Sequence, residues 1–210
     1  MDFSQTESQI SKRKRDELVA SIEAGENDLF GFFSNSIFMG DSRVYGFWSY
    51  GWFPVERTFA EAGYTILNIT DYLEEIEKLQ PEYIILSYGM NDMGLQVGSD
   101  LGEDGYAQVY RDKIEAVLEK SPNSKIVINS IIPAAPSVVE ANPKWGSWKD
   151  LNWQMKEMAE ENGWIYVDND ALSPDGTADI YAEDGIHLQK SFYPVWAMNI
   201  LETILDRDML

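Results

Sequence analysis

The 210-residue chain contains no cysteine and a single histidine. The absence of thiols excludes disulfides, a thiolate nucleophile and any zinc site built on cysteine, and one imidazole is too few for a zinc hydrolase built on histidine ligands. Positive charge is scarce as well. Lys and Arg number 16 against 36 Asp and Glu, a formal charge of -20. Such a surface repels nucleic-acid phosphates and anionic membranes, so neither is expected as a partner, whereas a neutral or cationic substrate is compatible with it. No apolar run approaches the roughly 20 residues that span a bilayer, so membrane insertion is not expected. The opening residues are polar and carry no signal peptide, which reads as a cytoplasmic protein unless an export signal has been removed. What is present is ordinary for a globular chain: 44% hydrophobic and 25% charged residues, enough for one substantial core.

Residues 4–24 read as a polar helix. Ser4 and Glu7 have capping-box spacing and Gly25 is a natural stop, so residues 1–30 are expected to form a helical extension and residues 31–210 the main domain. The basic run Lys12–Arg15 is followed at once by acids and reads as a solvated helix face. From residue 36 short apolar runs alternate with amphipathic segments. SIFMG, YTILNI, EYIILSYG, KIVINSII and WIYVD read as strands. Helices are expected at VYGFWSY, DYLEEIEKLQ, along the Tyr106/Val109/Tyr110/Ile114/Val117/Leu118 face, at SWKDLNWQMKEMAEEN before Gly163, and along Phe192/Trp196/Ile200/Leu201/Ile204. Continuous apolar strands between helices predict a parallel sheet covered on both faces, here of five strands. In such folds ligands bind beyond the carboxyl ends of the strands, so the polar residues just after each strand are the ones to test.

Three such positions carry chemistry. Gly40-Asp41-Ser42-Arg43 follows the first strand and places a serine at a strand-to-helix turn, its own N–H at the positive end of the helix. Taken alone, Asp and Ser there read as helix caps, and a serine needs an adjacent base to act as a nucleophile. Gly89-Met90-Asn91-Asp92 follows the third strand. Asn91 can donate a side-chain N–H to a developing oxyanion, although Gly, Asn and Asp also favour turns. Asp184-Gly185-Ile186-His187 precedes the last helix. His187 is the only imidazole base in the chain, and Asp184 is placed to accept its Nδ1 proton and fix the tautomer.

The order GDS, GxND, DxxH resembles that of the SGNH hydrolase superfamily, also called GDSL-like, over roughly residues 36–205. The resemblance implies a three-layer α/β/α, flavodoxin-like fold. It assigns Ser42 as nucleophile, Asp184 and His187 as the rest of a triad, and the Ser42 N–H and Asn91 as oxyanion donors. No metal or organic cofactor is implied. Arg43 stands where the family's name-giving Leu would be. The family also has a glycine after the second strand whose N–H completes the oxyanion hole. With YTILNI as that strand, the stretch at its end, Asn68-Ile69-Thr70-Asp71, contains none, and Gly63 lies before it. The absence of G-x-S-x-G argues against an α/β-hydrolase proper.

Trp48, Trp145 and Trp148 fall in connections expected to border the cleft and are candidates for stacking on sugar rings, although such rings also brace loops and cores. Arg43 is a candidate for an anionic substrate group or for a structural ion pair. The leading expectation is a hydrolase of small acyl esters, acetyl groups on a glycan among them. Acyl transfer by the same triad is an alternative. A non-catalytic glycan-binding module is another, supported only by the missing glycine.

Overall fold

A computed structural model describes the backbone of residues 3–208 and the side chains of residues 11–207. The Ser4–Glu7 capping pair lies outside the described side chains. Five strands, β1 (Ser36–Gly40), β2 (Thr58–Ala60), β3 (Tyr83–Ser87), β4 (Lys125–Asn129) and β5 (Ile165–Val167), pair in the order β2-β1-β3-β4-β5, all parallel. Among the described residues eight α-helices accompany them: α1 (Phe3–Glu23), α2 (Ser42–Ser49), α3 (Leu73–Leu79), α4 (Met90–Leu95), α5 (Gly105–Lys120), α6 (Pro136–Ala141), α7 (Trp148–Asn162) and α8 (Tyr193–Asp208). No helix among the described residues is long and apolar enough to cross a membrane.

The strands are apolar throughout because both faces are buried, and the period-2 alternation divides each strand between two cores. Ile37, Met39, Ile84, Leu86, Ile126 and Ile128 face one side and pack with Tyr110, Ile114 and Val117 of α5 and Met155 and Met158 of α7. Phe38, Ile85, Val127, Ile165 and Val167 face the other side and meet Val44 and Phe47 of α2 and Trp196, Ala197, Ile200 and Ile204 of α8. The N-terminal helix is docked onto this second layer. Ile22 is buried within it, and Arg15 bridges to Glu202 and Asp206 of α8. Helix α1 stops at Gly25, where φ is +73°.

The second strand differs from the sequence expectation. YTILNI is not extended. Residues Ile66–Tyr72 form a 3-10 helix, and the strand is the three-residue Thr58–Ala60 upstream. Local capping explains the difference. The Thr65 hydroxyl accepts from Leu67 N, and Asn68 Oδ1 accepts from Thr65 N at 3.0 Å. Burial then follows the three-residue repeat of a 3-10 helix: Ile66 and Ile69 are fully buried while Leu67 is exposed.

Strand order reverses between β1 and β3, because β1 is followed outward by β2 and β3 outward by β4. This topological switch point opens a crevice at the carboxyl edge, where doubly wound sheets bind their ligands. Ser42 opens α2 directly after β1, and Asn91 lies in α4 directly after β3, so the two flank that crevice.

Candidate active site

The turn that carries Ser42 is shaped by close packing. A Cβ on Gly40 would stand 2.5 Å from the Ser87 carbonyl oxygen, so only glycine lets β1 end against β3 there. Asp41 is the N-cap of α2, its Oδ1 accepting from Arg43 N at 2.9 Å. Ser42 is therefore the first residue of α2, with its N–H at the positive end of the helix. Burial pushes the Asp41 carboxyl up, and the neighbouring Arg43 charge opposes that rise.

The loop before α8 carries the other two groups. Asp184 Oδ1 accepts from Ile186 N and from His187 N, both at 2.9 Å, which folds residues 184–187 into a tight turn. Asp184 Oδ2 lies 2.5 Å from His187 Nδ1, and His187 Nε2 lies 3.1 Å from Ser42 Oγ. Desolvation would raise the Asp184 carboxyl. The His187 ring and the two backbone N–H groups outweigh it and hold the carboxyl at about 2. Asp184 is thus a carboxylate throughout the neutral range, and it orients the Nδ1 proton so that Nε2 faces the serine. Both side chains are half exposed, so the imidazole is open to water.

Arg43 is buried and does not face a ligand, which corrects its reading as a substrate contact. Its guanidinium donates to Ile186 O at 2.9 Å, to Pro133 O at 3.3 Å and to Ile132 O. Arg43 thereby ties α2 to the β4–α6 connection and to the backbone immediately before His187. Ala135 N donates to Gly185 O at 2.8 Å and pins the same loop from the other side. The side-chain partners expected for Arg43 were acids. Asp41 lies nearby, but three carbonyls take the donors, because a planar fork of five N–H groups suits several fixed acceptors at once.

On the other wall, Gly89 precedes α4 with φ +133°, and a Cβ there would stand 2.4 Å from Ile131 Cδ1. Asn91 Nδ2 donates to Tyr64 O at 2.9 Å. An amide has two N–H groups, so one remains for a ligand. The relocated second strand also revises the glycine reading. Gly63 lies after β2, in the exposed loop that leads to the 3-10 helix, directly before the Tyr64 that Asn91 holds. The signal that could have found it is the T-x-x-N capping spacing of Thr65 and Asn68, which excludes YTILNI as a strand.

The aromatic candidates separate. Trp148 is 9% exposed and packs into the α5/α7 core, so it is not a surface ring. Trp145 is half-buried against the same core, beside α4, under Lys144. Trp48 is 38% exposed on α2 and forms an edge-on pair with Tyr45, 39% exposed, at a centroid distance of 4.9 Å. Tyr45 was not singled out from sequence. It lies three residues after Ser42 and so shares its helix face.

The chain matches the model of the GDSL-like lipase/acylhydrolase family over residues 38–193. The chain belongs to this family. It is an ester hydrolase with the α/β fold of that family, and the resemblance of its GDS, GxND and DxxH blocks is accounted for. No curated protein matches it in sequence. Among solved structures, a putative acylhydrolase from Bacteroides fragilis is 23% identical, with a TM-score of 0.61 over 83% of this chain and 88% of its own. A lipase/acylhydrolase from Enterococcus faecalis is 18% identical, with a TM-score of 0.59 over 81% and 95%. A catalytic mutant of an acetylxylan esterase from Geobacillus stearothermophilus is 18% identical, with a TM-score of 0.56 over 80% and 92%. At these identities the likeness is one of fold.

Proposed function

We propose that this GDSL-like hydrolase is a serine esterase that removes small acyl groups, acetyl above all, from carbohydrate hydroxyls, with Ser42, His187 and Asp184 as its triad. The observation that carries the reading is His187, hydrogen-bonded through Nδ1 to Asp184 and through Nε2 to Ser42 Oγ. Ser42 Oγ attacks the ester carbonyl and passes its proton to Nε2. Asp184 keeps Nδ1 protonated and stabilises the imidazolium. The oxyanion is received by the Ser42 N–H, the second amide hydrogen of Asn91 and the Gly63 N–H, donors fixed before the charge develops. His187 returns its proton to the leaving alcohol, and a water activated by the same imidazole releases the acyl group.

The carbohydrate part rests on Tyr45 and Trp48, exposed rings on the helix that Ser42 opens, which suit stacking on a sugar face. The neighbour described as an acetylxylan esterase has the same fold. The binding-module alternative loses its one support, because Gly63 follows β2. The test is acetate release from an acetylated xylo-oligosaccharide and from p-nitrophenyl acetate, by wild type and by Ser42→Ala. Release from both by wild type and from neither by the variant supports the proposal. Release from the aryl ester alone would remove the carbohydrate, and release by Ser42→Ala at the wild-type rate would remove the triad.

A further inference from the structure

The triad and Asn91 do not account for Asp92, one of the most buried carboxyls in the molecule. It is 1% exposed in the middle of α4. Its Oδ1 accepts a hydrogen bond from Ile66 N at 3.0 Å. Its neighbour Asn91 donates to Tyr64 O at 2.9 Å. Two consecutive side chains of α4 therefore grip the same loop two residues apart, one holding a carbonyl and the other an amide. Gly63 is the next residue toward β2.

We infer that Asp92 is a positioning residue of the oxyanion hole: through Ile66 it fixes the loop that carries the Gly63 N–H at its working distance from Asn91. The inference rests on the proposed roles of Asn91 and Gly63.

Three features support the assignment. The grip is specific to this site, because the loop's other anchors are its own, Thr65 with Asn68 and Asn68 with Asp71. Asp92 is the side chain through which α4 holds the 3-10 helix at its first residue. The remaining oxygen, Oδ2, is buried with no hydrogen bond of regular geometry, and the equally buried Tyr106 hydroxyl interacts with the same carboxyl. A carboxyl kept in such surroundings carries a solvation penalty that an apolar residue would avoid. Finally, Gly63, with φ +83°, is exposed between β2 and the 3-10 helix with open space around it. Packing does not touch this glycine directly, so its place is set by the neighbouring residues, through the bonds at Tyr64 and Ile66 and the buried Ile66 side chain.

The experiment compares Asp92→Ala and Asp92→Asn with wild type in the full chain. It measures kcat and KM on p-nitrophenyl acetate well below each melting temperature, together with the rate at which a fluorophosphonate labels Ser42. Asn keeps a carbonyl oxygen for the Ile66 N–H, whereas Ala does not. Asp92→Ala is expected to lower kcat and the labelling rate by about 10²-fold with KM nearly unchanged, the cost of displacing a catalytic donor by about an ångström. Asp92→Asn should restore both to within a few-fold of wild type. Wild-type kcat in Asp92→Ala, or an equal loss in both variants, would overturn the inference. Should Asp92→Ala fail to fold, Asn68→Ala loosens the same loop from its exposed side. It should lower kcat several-fold at unchanged KM, and a wild-type kcat there would count equally against the inference. Failure of the parent reading is distinguishable, since Asn91→Ala would then keep the wild-type kcat or wild type would carry no label on Ser42.

Discussion

Replacing Asp92 by Asn should change how stability depends on pH. Burial, opposed by the Ile66 hydrogen bond and reinforced by the nearby Asp41 charge, pushes the Asp92 carboxyl from the ordinary 3.8 up to about 7. The folded protein therefore holds a proton between these values that the unfolded chain has released. Since stability falls with pH wherever the folded state binds more protons, Asp92 favours the fold fully below about pH 4 and loses that contribution as pH rises through about 7. At 1.36 kcal/mol per pH unit, the interval between 3.8 and about 7 corresponds to about 4 kcal/mol, an order-of-magnitude value. Urea unfolding is best followed from pH 5 to pH 8, above the isoelectric region of so acidic a chain, where about 3 kcal/mol of the change remains. Asp92→Asn does not titrate and resembles the protonated carboxyl. Its stability relative to wild type should therefore grow by about 3 kcal/mol across that range. The general repulsion among the many surface acids is common to both proteins and cancels in the difference. Curves that stay parallel within about 1 kcal/mol would refute the account of Asp92 as a buried carboxyl that keeps its proton.

Asn91→Ala should slow ester cleavage by about 10²–10³-fold with little change in melting temperature, measured as kcat on p-nitrophenyl acetate. A wild-type rate would remove Asn91 from the oxyanion hole. Tyr45→Ala and Trp48→Ala should raise KM for an acetylated xylo-oligosaccharide while leaving p-nitrophenyl acetate unaffected, because only the sugar needs a stacking surface. Equal effects on both substrates would contradict that role. Gly46→Ala places a Cβ 1.8 Å from Tyr193 Oη, whose hydroxyl donates to Arg43 O, and should cost about 1–3 kcal/mol in thermal or urea unfolding. Undiminished stability would show that α8 can shift away from α2.

Much of this architecture is written locally. Strands β1, β3, β4 and β5 are short apolar runs between helical patterns, and burial on both faces makes them so. Strand β2 is only three residues long, and the more apolar YTILNI beside it drew the strand assignment. The capping pair Thr65 and Asn68 settles that segment, and with it the place of Gly63. Ser42 and Asn91 stood out as candidates because each follows a strand end with a distinctive motif, and His187 because it is the one histidine and stands three residues after an aspartate. Arg43 and Asp92 were not, because their partners come from elsewhere in the chain. Arg43 binds carbonyls at 132, 133 and 186, and Asp92 binds the amide at 66. A side chain's position next to Ser42 does not reveal whether it points into the cleft or under it. Trp148 illustrates the same limit, since a tryptophan in a long connection turned inward to the core.

The most direct test of the central claim is mass spectrometry of the intact chain after reaction with a fluorophosphonate, followed by peptide mapping. One adduct on Ser42 is expected in wild type, none in Ser42→Ala, and strongly slowed labelling in His187→Ala, which has no second imidazole to replace the base. An adduct on another residue, or wild-type labelling without His187, would contradict the proposed mechanism.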